Sequence, residues 1–240
     1  MLNLPFELVD EIFSQLSFKD RQSLTLVKEL SSASSCRVLQ TITVTDFDKE
    51  GITILNSPRV VNHIRNLTVN CEYSLKLPKQ FAKMKQLQTL QLDLRFISQQ
   101  MELFSRGGSR KPFGDLSLTT FLPASNTVTE LTLRLHSTSD IEHNRIVLDE
   151  LILRYPSLET LVVVFDRMSS ADIEPVVSKL TSLPLSVVVV KCQTGNCFDR
   201  LDVLCADRSN GLKRVADRKE RVRIASSLYH FEQIANKFGY

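Results

Sequence analysis

Tryptophan is absent from this 240-residue chain, and the aromatic fraction is only 7%. So few rings supply no stacking platform of the kind that single-stranded nucleic acid uses. No apolar run approaches the roughly 18 residues of a bilayer-spanning helix, so no segment is expected to cross a membrane. Near the N-terminus stand Glu7, Asp10 and Glu11 rather than a basic start, which argues against a secretory signal. Neither sign of charge dominates: 30 basic and 27 acidic residues leave a formal charge of +3. That is too little to demand nucleic acid or an anionic membrane as partner.

Regular cysteine spacing is also missing. The five cysteines, Cys36, Cys71, Cys192, Cys197 and Cys205, are odd in number and irregularly placed, which argues against a disulfide framework. Cys192 and Cys197 lack the second ligand pair of a zinc site, so no metal is expected. Reduced thiols in the cytoplasm and/or nucleus follow as the expectation.

Catalytic signatures are equally scarce. The histidines His63, His136, His143 and His230 are scattered, and none belongs to a zinc-hydrolase signature or accompanies a Gly-x-Ser-x-Gly elbow. His63 and His136 flank expected strands and suit hydrogen-bonded surface positions. Asp93, Asp166, Asp199 and Asp202 include candidates for the rims of a sheet, but nothing in the sequence brings two of them into one cleft. There is no dinucleotide fingerprint, kinase set or RNA-binding aromatic signature. The expectation is a non-catalytic protein without a cofactor.

What is present is a repeat. An aliphatic residue, two others, an aliphatic residue, one other and an aliphatic residue recur along the chain. The pattern occurs at Leu39, Ile42, Val44; at Ile64, Leu67, Val69; and at Leu87, Leu90, Leu92. It returns at Val128, Leu131, Leu133; at Leu158, Leu161, Val163; and at Leu185, Val188, Val190. Successive middle positions lie 25, 23, 41, 30 and 27 residues apart, mostly room for one strand and one returning helix. This is the strand portion of a leucine-rich repeat, whose alternating residues point into a shared core.

The intervening segments support crossovers. Ser139 and Glu142 form a capping box ahead of Ile141, Val147, Leu148, Leu151 and Ile152, with Pro156 as the stop. Ser169 opens a second helix carrying Ile173, Val176, Val177 and Leu180, closed by Pro184. Strand, helix and parallel strand in succession predict a parallel sheet with helices on its convex side. Leu161–Phe165 and Val187–Val190 are nearly continuous apolar, as strands buried on both faces are. A compact α/β sheet is the competing architecture.

Two basic stretches interrupt this pattern. Ser105–Pro112, containing Arg106–Lys111, is Gly-rich and reads as a solvated loop, since Gly107-Gly108 lacks P-loop spacing. Lys213–Arg223 precedes Ile224, Leu228, Phe231, Ile234 and Phe238, whose spacing predicts an amphipathic helix capping the last repeat. Its basic run reads as the wet side of that helix.

The first forty-five residues differ from the rest. Leu4, Leu8, Val9, Ile12, Phe13 and Leu16 fall on one helical face, with Pro5 in the first turn. Ser17 and Asp20 form an acidic variant of the capping box and start a second helix bearing Leu24, Leu26 and Val27. A third ends near Leu39. Three short helices leave more apolar surface than so small a core consumes. That surplus packs on the rest of the chain or docks on another protein.

Leu4-Pro5, Glu7, Leu8, Ile12, Leu16, Asp20, Leu24 and Val27-Lys28 resemble the F-box motif, particularly its fungal leucine-rich-repeat form. Arg21 stands where that family commonly has an aliphatic residue, and Leu30 lies near where many members carry Trp. The resemblance implies an F-box-like helical module over 1–45 and a short, irregular leucine-rich-repeat domain over 46–240. It implies docking on the Skp adaptor, and through it on cullin, by Leu4, Pro5, Leu8, Ile12, Leu16, Asp20, Leu24 and Val27. The repeats would then present a protein target for ubiquitination. The alternative is a repeat protein outside any ligase, its N-terminal helices only capping the solenoid. A nucleic-acid binder using Arg106–Lys111 and Lys213–Arg223 is a weaker third reading.

Overall fold

Each recurring aliphatic triplet becomes a strand. The computed structural model describes residues 40–45, 61–70, 81–99, 118–142, 146–166, 173–194, 197–207 and 211–228. Within them run β1 (Thr41–Thr45), β2 (Asn66–Asn70), β3 (Thr89–Asp93), β4 (Glu130–Leu135), β5 (Thr160–Phe165) and β6 (Val187–Thr194). These strands pair in parallel and in chain order. Ile42, Leu67, Leu90, Leu131, Leu161 and Val188 align in one row across them. The irregular spacing of these residues along the chain is therefore the register of the sheet. A slip of one residue in any strand would turn its leucine or valine out of the core.

A repeated backbone bond marks the edge where the strands begin. The Gln40 carbonyl accepts from the N–H groups of Arg65 and Asn66 at 2.9 and 2.7 Å. The Arg65 carbonyl does the same for Gln88 and Thr89 at 2.7 and 2.9 Å, and the Gln88 carbonyl for Thr129 and Glu130 at 2.9 and 3.0 Å. The carbonyls of Thr129 and Glu159 continue the series. One bonding arrangement at every step is the mark of stacked, nearly equivalent units.

Two further strands depart from the expected all-parallel sheet. β7 (Cys197–Asp207) and β8 (Gly211–Arg214) add antiparallel to β6, giving eight strands in sequential order. Only Gly195 and Asn196 separate β6 from β7, and a Gly-Asn pair between strands is a hairpin signal. β1, the strand expected at Ile42 and Val44, falls within the segment 1–45 and pairs along its whole length with β2. The remainder of that segment, and the stretch Arg106–Lys111, lie outside the described residues.

Helices among the described residues include α1 (Ser139–Glu142), α2 (Leu148–Arg154), α3 (Glu174–Leu180) and α4 (Arg218–Ser227). The expected single helix from Ser139 is two pieces, and Ser139 lies inside α1 rather than capping a longer helix. The Asp140 carbonyl accepts from the N–H of Ile146 at 2.7 Å, six residues on, a bond that a continuing α-helix does not make. Without a side-chain cap of its own, α2 gains an anchor where the N–H of Val147 donates to Thr119 Oγ1 at 2.8 Å. Ser169 lies outside the described residues. α3 begins after Ile173, with Pro175 in its first turn, and ends four residues before Pro184. Lys179 of α3 donates through Nζ to the carbonyls of Ile141 and Glu142, at 3.2 and 2.7 Å, placing a cation at the C-terminal end of α1.

Helices cover both faces, not one. The main core joins Leu131, Leu133, Leu161, Val163, Val188 and Val190 to Leu151, Val176 and Leu180 of α2 and α3. The opposite face carries Val162, Val164, Val189 and Val203, with Ala225 of α4 packed on them and Ile224 and Leu228 alongside. α4 thus lies across the face opposite α2 and α3, while Phe231, Ile234 and Phe238 of the expected capping helix lie outside the described residues. Apolar side chains on both faces of β5 and β6 require cover on both. The outcome is a mixed α/β architecture around a parallel-rich sheet, compatible with a solenoid.

Leu131 and Leu161 are each 0% exposed. Replacing either with alanine is expected to cost about 2–5 kcal/mol in urea unfolding. Leu153→Ala, at a side chain 80% exposed, should stay within about 0.5 kcal/mol of the parent. A small loss at Leu131 would displace it from the core row.

Candidate binding surfaces

Leu4, Pro5, Leu8, Ile12, Leu16, Asp20, Leu24 and Val27, expected to hold an adaptor, lie outside the described residues, as do Arg21 and Leu30. The surfaces that the structure describes are those of the sheet. On the face covered by α4, one row across β2 to β7 reads Thr68, Gln91, Thr132, Val162, Val189, Val203. It is polar through β4 and aliphatic from β5 onward. The switch is visible in single residues, and α4 lies over the aliphatic half, where it has apolar area to bury. Thr132 is nonetheless buried, and its hydroxyl has no hydrogen-bond partner among the described residues.

At the C-terminal ends of the central strands lies an ion-pair rim. Asp93 ends β3, Arg134 stands beside it on β4, and Asp166 follows β5. Arg95 bridges the two carboxylates: its Nε and Nη2 donate to Asp93, the latter at 2.6 Å, and its Nη1 donates to Asp166. Arg134 Nη2 donates to Asp166 from the other side at 3.2 Å. The Asp93 hydrogen bond is the main reason that the Arg95 guanidinium holds its proton more firmly than usual, and burial opposes it. Parallel register thus joins Asp93 and Asp166, 73 positions apart in the chain, a pairing that no local motif announces. Both acids are neutralised by arginine, an arrangement suited to fixing the rim rather than to acid–base work.

A second cluster surrounds Asp202, whose side chain is 3% exposed. Arg200 Nε lies 2.6 Å from it, Arg214 Nε 2.9 Å and Arg221 Nη1 3.8 Å. Glu174 of α3 pairs with Arg200 and Arg214, and the Arg200 hydrogen bond leads in lowering its pKa. The basic stretch Lys213–Arg223 is accordingly divided between β8 and α4. Lys213 pairs with Asp207, Arg214 and Arg221 join the Asp202 cluster, and Arg223 pairs with Glu220 inside the helix. The N-terminus of α4 is capped by Asp217, which accepts from the N–H groups of Lys219 and Glu220. Loss of the carboxylate in Asp202→Asn should cost about 1.5–3 kcal/mol, since its hydrogen bonds are charge-assisted. Urea unfolding reads this, and an unchanged midpoint would mean that the arginines are equally well solvated without it.

Lys191 lies on the same face as Glu130 and is 2% exposed. Burial pushes its pKa down to about 8, partly countered by the charge of Glu130. Burial likewise raises the Glu130 carboxyl, countered by Lys191. An unfolded lysine titrates near 10.4, so between about pH 8 and 10.4 the unfolded chain binds more protons and stability rises with pH. Relative to Lys191→Met, the parent should gain up to about 3 kcal/mol over that window, as a shift of this size implies. Identical pH dependence in the two proteins would place the ammonium in water.

His63 and His136 are half-buried beside β2 and β4, while His143, His230 and the side chain of Asp199 lie outside the described residues. At the edge where the strands begin, a groove of about 440 Å3 runs along the segments preceding β2, β3, β4 and β5. Arg65 and Lys85 stand over it with Gln86 and Gln88, and Thr127, Thr129 and Ser157 complete the lining. No local motif marks this groove, because its residues come from successive turns of the repeat.

For the N-terminal stretch, comparison rather than geometry supplies the finding. Residues 1–27 match the F-box domain family. That stretch contains the eight residues Leu4 to Val27 named above, and the match supports an F-box protein. F-box proteins are in general non-catalytic adaptors of Skp–cullin ubiquitin ligases. No curated protein and no solved structure matches this chain.

Proposed function

We propose that this chain is a substrate-recognition subunit of a Skp–cullin–F-box type ubiquitin ligase, acting in the cytoplasm and/or nucleus. The observation that carries the reading is the F-box match over residues 1–27, joined in one chain to a sheet of stacked strands. In this reading the N-terminal helices hold the Skp adaptor, and through it cullin, with Leu4, Pro5, Leu8, Ile12, Leu16, Asp20, Leu24 and Val27. Apolar anchors of this kind dominate the energy of an interface. The sheet, read as an irregular leucine-rich repeat, holds a protein target. The subunit performs no chemistry, and its contribution is to raise the effective concentration of the target at a ubiquitin-conjugating enzyme.

Co-purification tests this directly. Wild-type protein should recover the Skp adaptor from cell extract, and Leu8→Asp should abolish recovery. Because the sheet has its own core, its melting temperature should stay within a few degrees in the variant. Failure of the wild-type protein to recover the adaptor would sink the ligase reading, and a lowered melting temperature would favour helices that only cap the sheet.

A further inference from the structure

The groove along the strand-initiating edge has a chemistry of its own. Two of its lining side chains are cations and the other five are neutral amides or hydroxyls, with no carboxylate and no aliphatic group among them. Among the described residues neither Arg65 nor Lys85 forms an ion pair, whereas the arginines of the rim and of the Asp202 cluster are all paired with acids. Two cations at one concave site, uncompensated, repel each other and favour an anion between them.

The donor supply narrows the class of anion. The Ser157 hydroxyl donates to the Asn126 carbonyl at 2.8 Å and the Thr129 hydroxyl to the Gln88 carbonyl, so neither offers its proton to a ligand. Donors remain on the Arg65 guanidinium, the Lys85 ammonium and the side-chain amides of Gln86 and Gln88, all exposed. A planar fork, a point charge and two amides suit a group with several acceptor oxygens and about two negative charges, which a phosphate monoester provides.

The backbone beneath these side chains is well fixed. Arg65 lies between buried Ile64 and β2, and its N–H and carbonyl both belong to the repeating edge bonds. Lys85 and Gln86 occupy the turn between buried Met84 and Leu87, and the Leu87 N–H donates to the Met84 carbonyl. Repeat stacking, not local sequence, brings the two turns together. We propose that this groove binds a phosphate monoester through Arg65 and Lys85, with Gln86 and Gln88 supplying the further donors. The groove's volume exceeds that of a lone phosphate, so the group can be free or borne on a larger molecule.

Titration of the full chain with inorganic phosphate and with O-phosphoserine, at constant ionic strength set by chloride, tests the proposal. Saturable binding is expected, strengthening as pH rises through the second phosphate ionisation near 6. Arg65→Gln and Lys85→Gln should each weaken it about tenfold or more, the loss of one charge-assisted contact. Both residues are exposed, so the variants should unfold at the parent's temperature. Tighter binding of phosphoserine would point to a borne phosphate and equal binding to the free ion; either supports the site. Absence of saturable binding, indifference to both substitutions, or equal binding of acetate would overturn it.

Discussion

The structure depends on one row of aliphatic side chains. Ile42, Leu67, Leu90, Leu131, Leu161 and Val188 stand side by side across six parallel strands, each almost wholly removed from water. None could be buried by its own strand and crossover alone. Each is covered by the neighbouring strands and by the helices above, so the units stabilise one another in series. The edge bonds, one carbonyl serving two N–H groups at every step, translate that row into a constant backbone offset. Loops of very different length can then join the strands without disturbing the register, because loop-closure entropy grows only slowly with length.

The second face follows from the first. Alternation along each strand sends every other residue away from the row, and what lies there changes from threonine and glutamine to valine between β4 and β5. Valine needs cover, and the chain provides it by reversing direction twice and laying α4 over β5 to β7. The antiparallel end also gathers Arg200, Arg214 and Arg221 around Asp202, which ties β7, β8 and α4 together. The edge groove is then a part of the sheet with chemistry to offer a partner.

In the proposed reading, an F-box stretch followed by such a sheet separates two tasks in one chain. The apolar residues of the stretch 1–27 suit a constant adaptor, whose interface can be deep and dry. The arginine-bridged rim and the cationic groove suit a partner chosen by hydrogen bonds and charge, where mismatched groups are penalised by lost desolvation energy.

The aliphatic triplets determined the six parallel strands and their register from sequence alone, because burial on one face imposes a period of two that composition cannot disguise. The F-box resemblance was legible for a similar reason: its residues lie close together along the chain. The continuous apolar runs at Leu161–Phe165 and Val187–Val190 announced burial on two faces, but not the helix that accomplishes it. The hairpin to β7 carried a signal in Gly195-Asn196, whereas the break after α1 turned on a carbonyl of Asp140 held from outside the helix. Tertiary structure alone decided the meeting of Asp93 with Asp166, the convergence on Asp202 and the assembly of Arg65 with Lys85. Each joins residues from different turns of the stack, and the distance between turns is set by packing rather than by position in the chain.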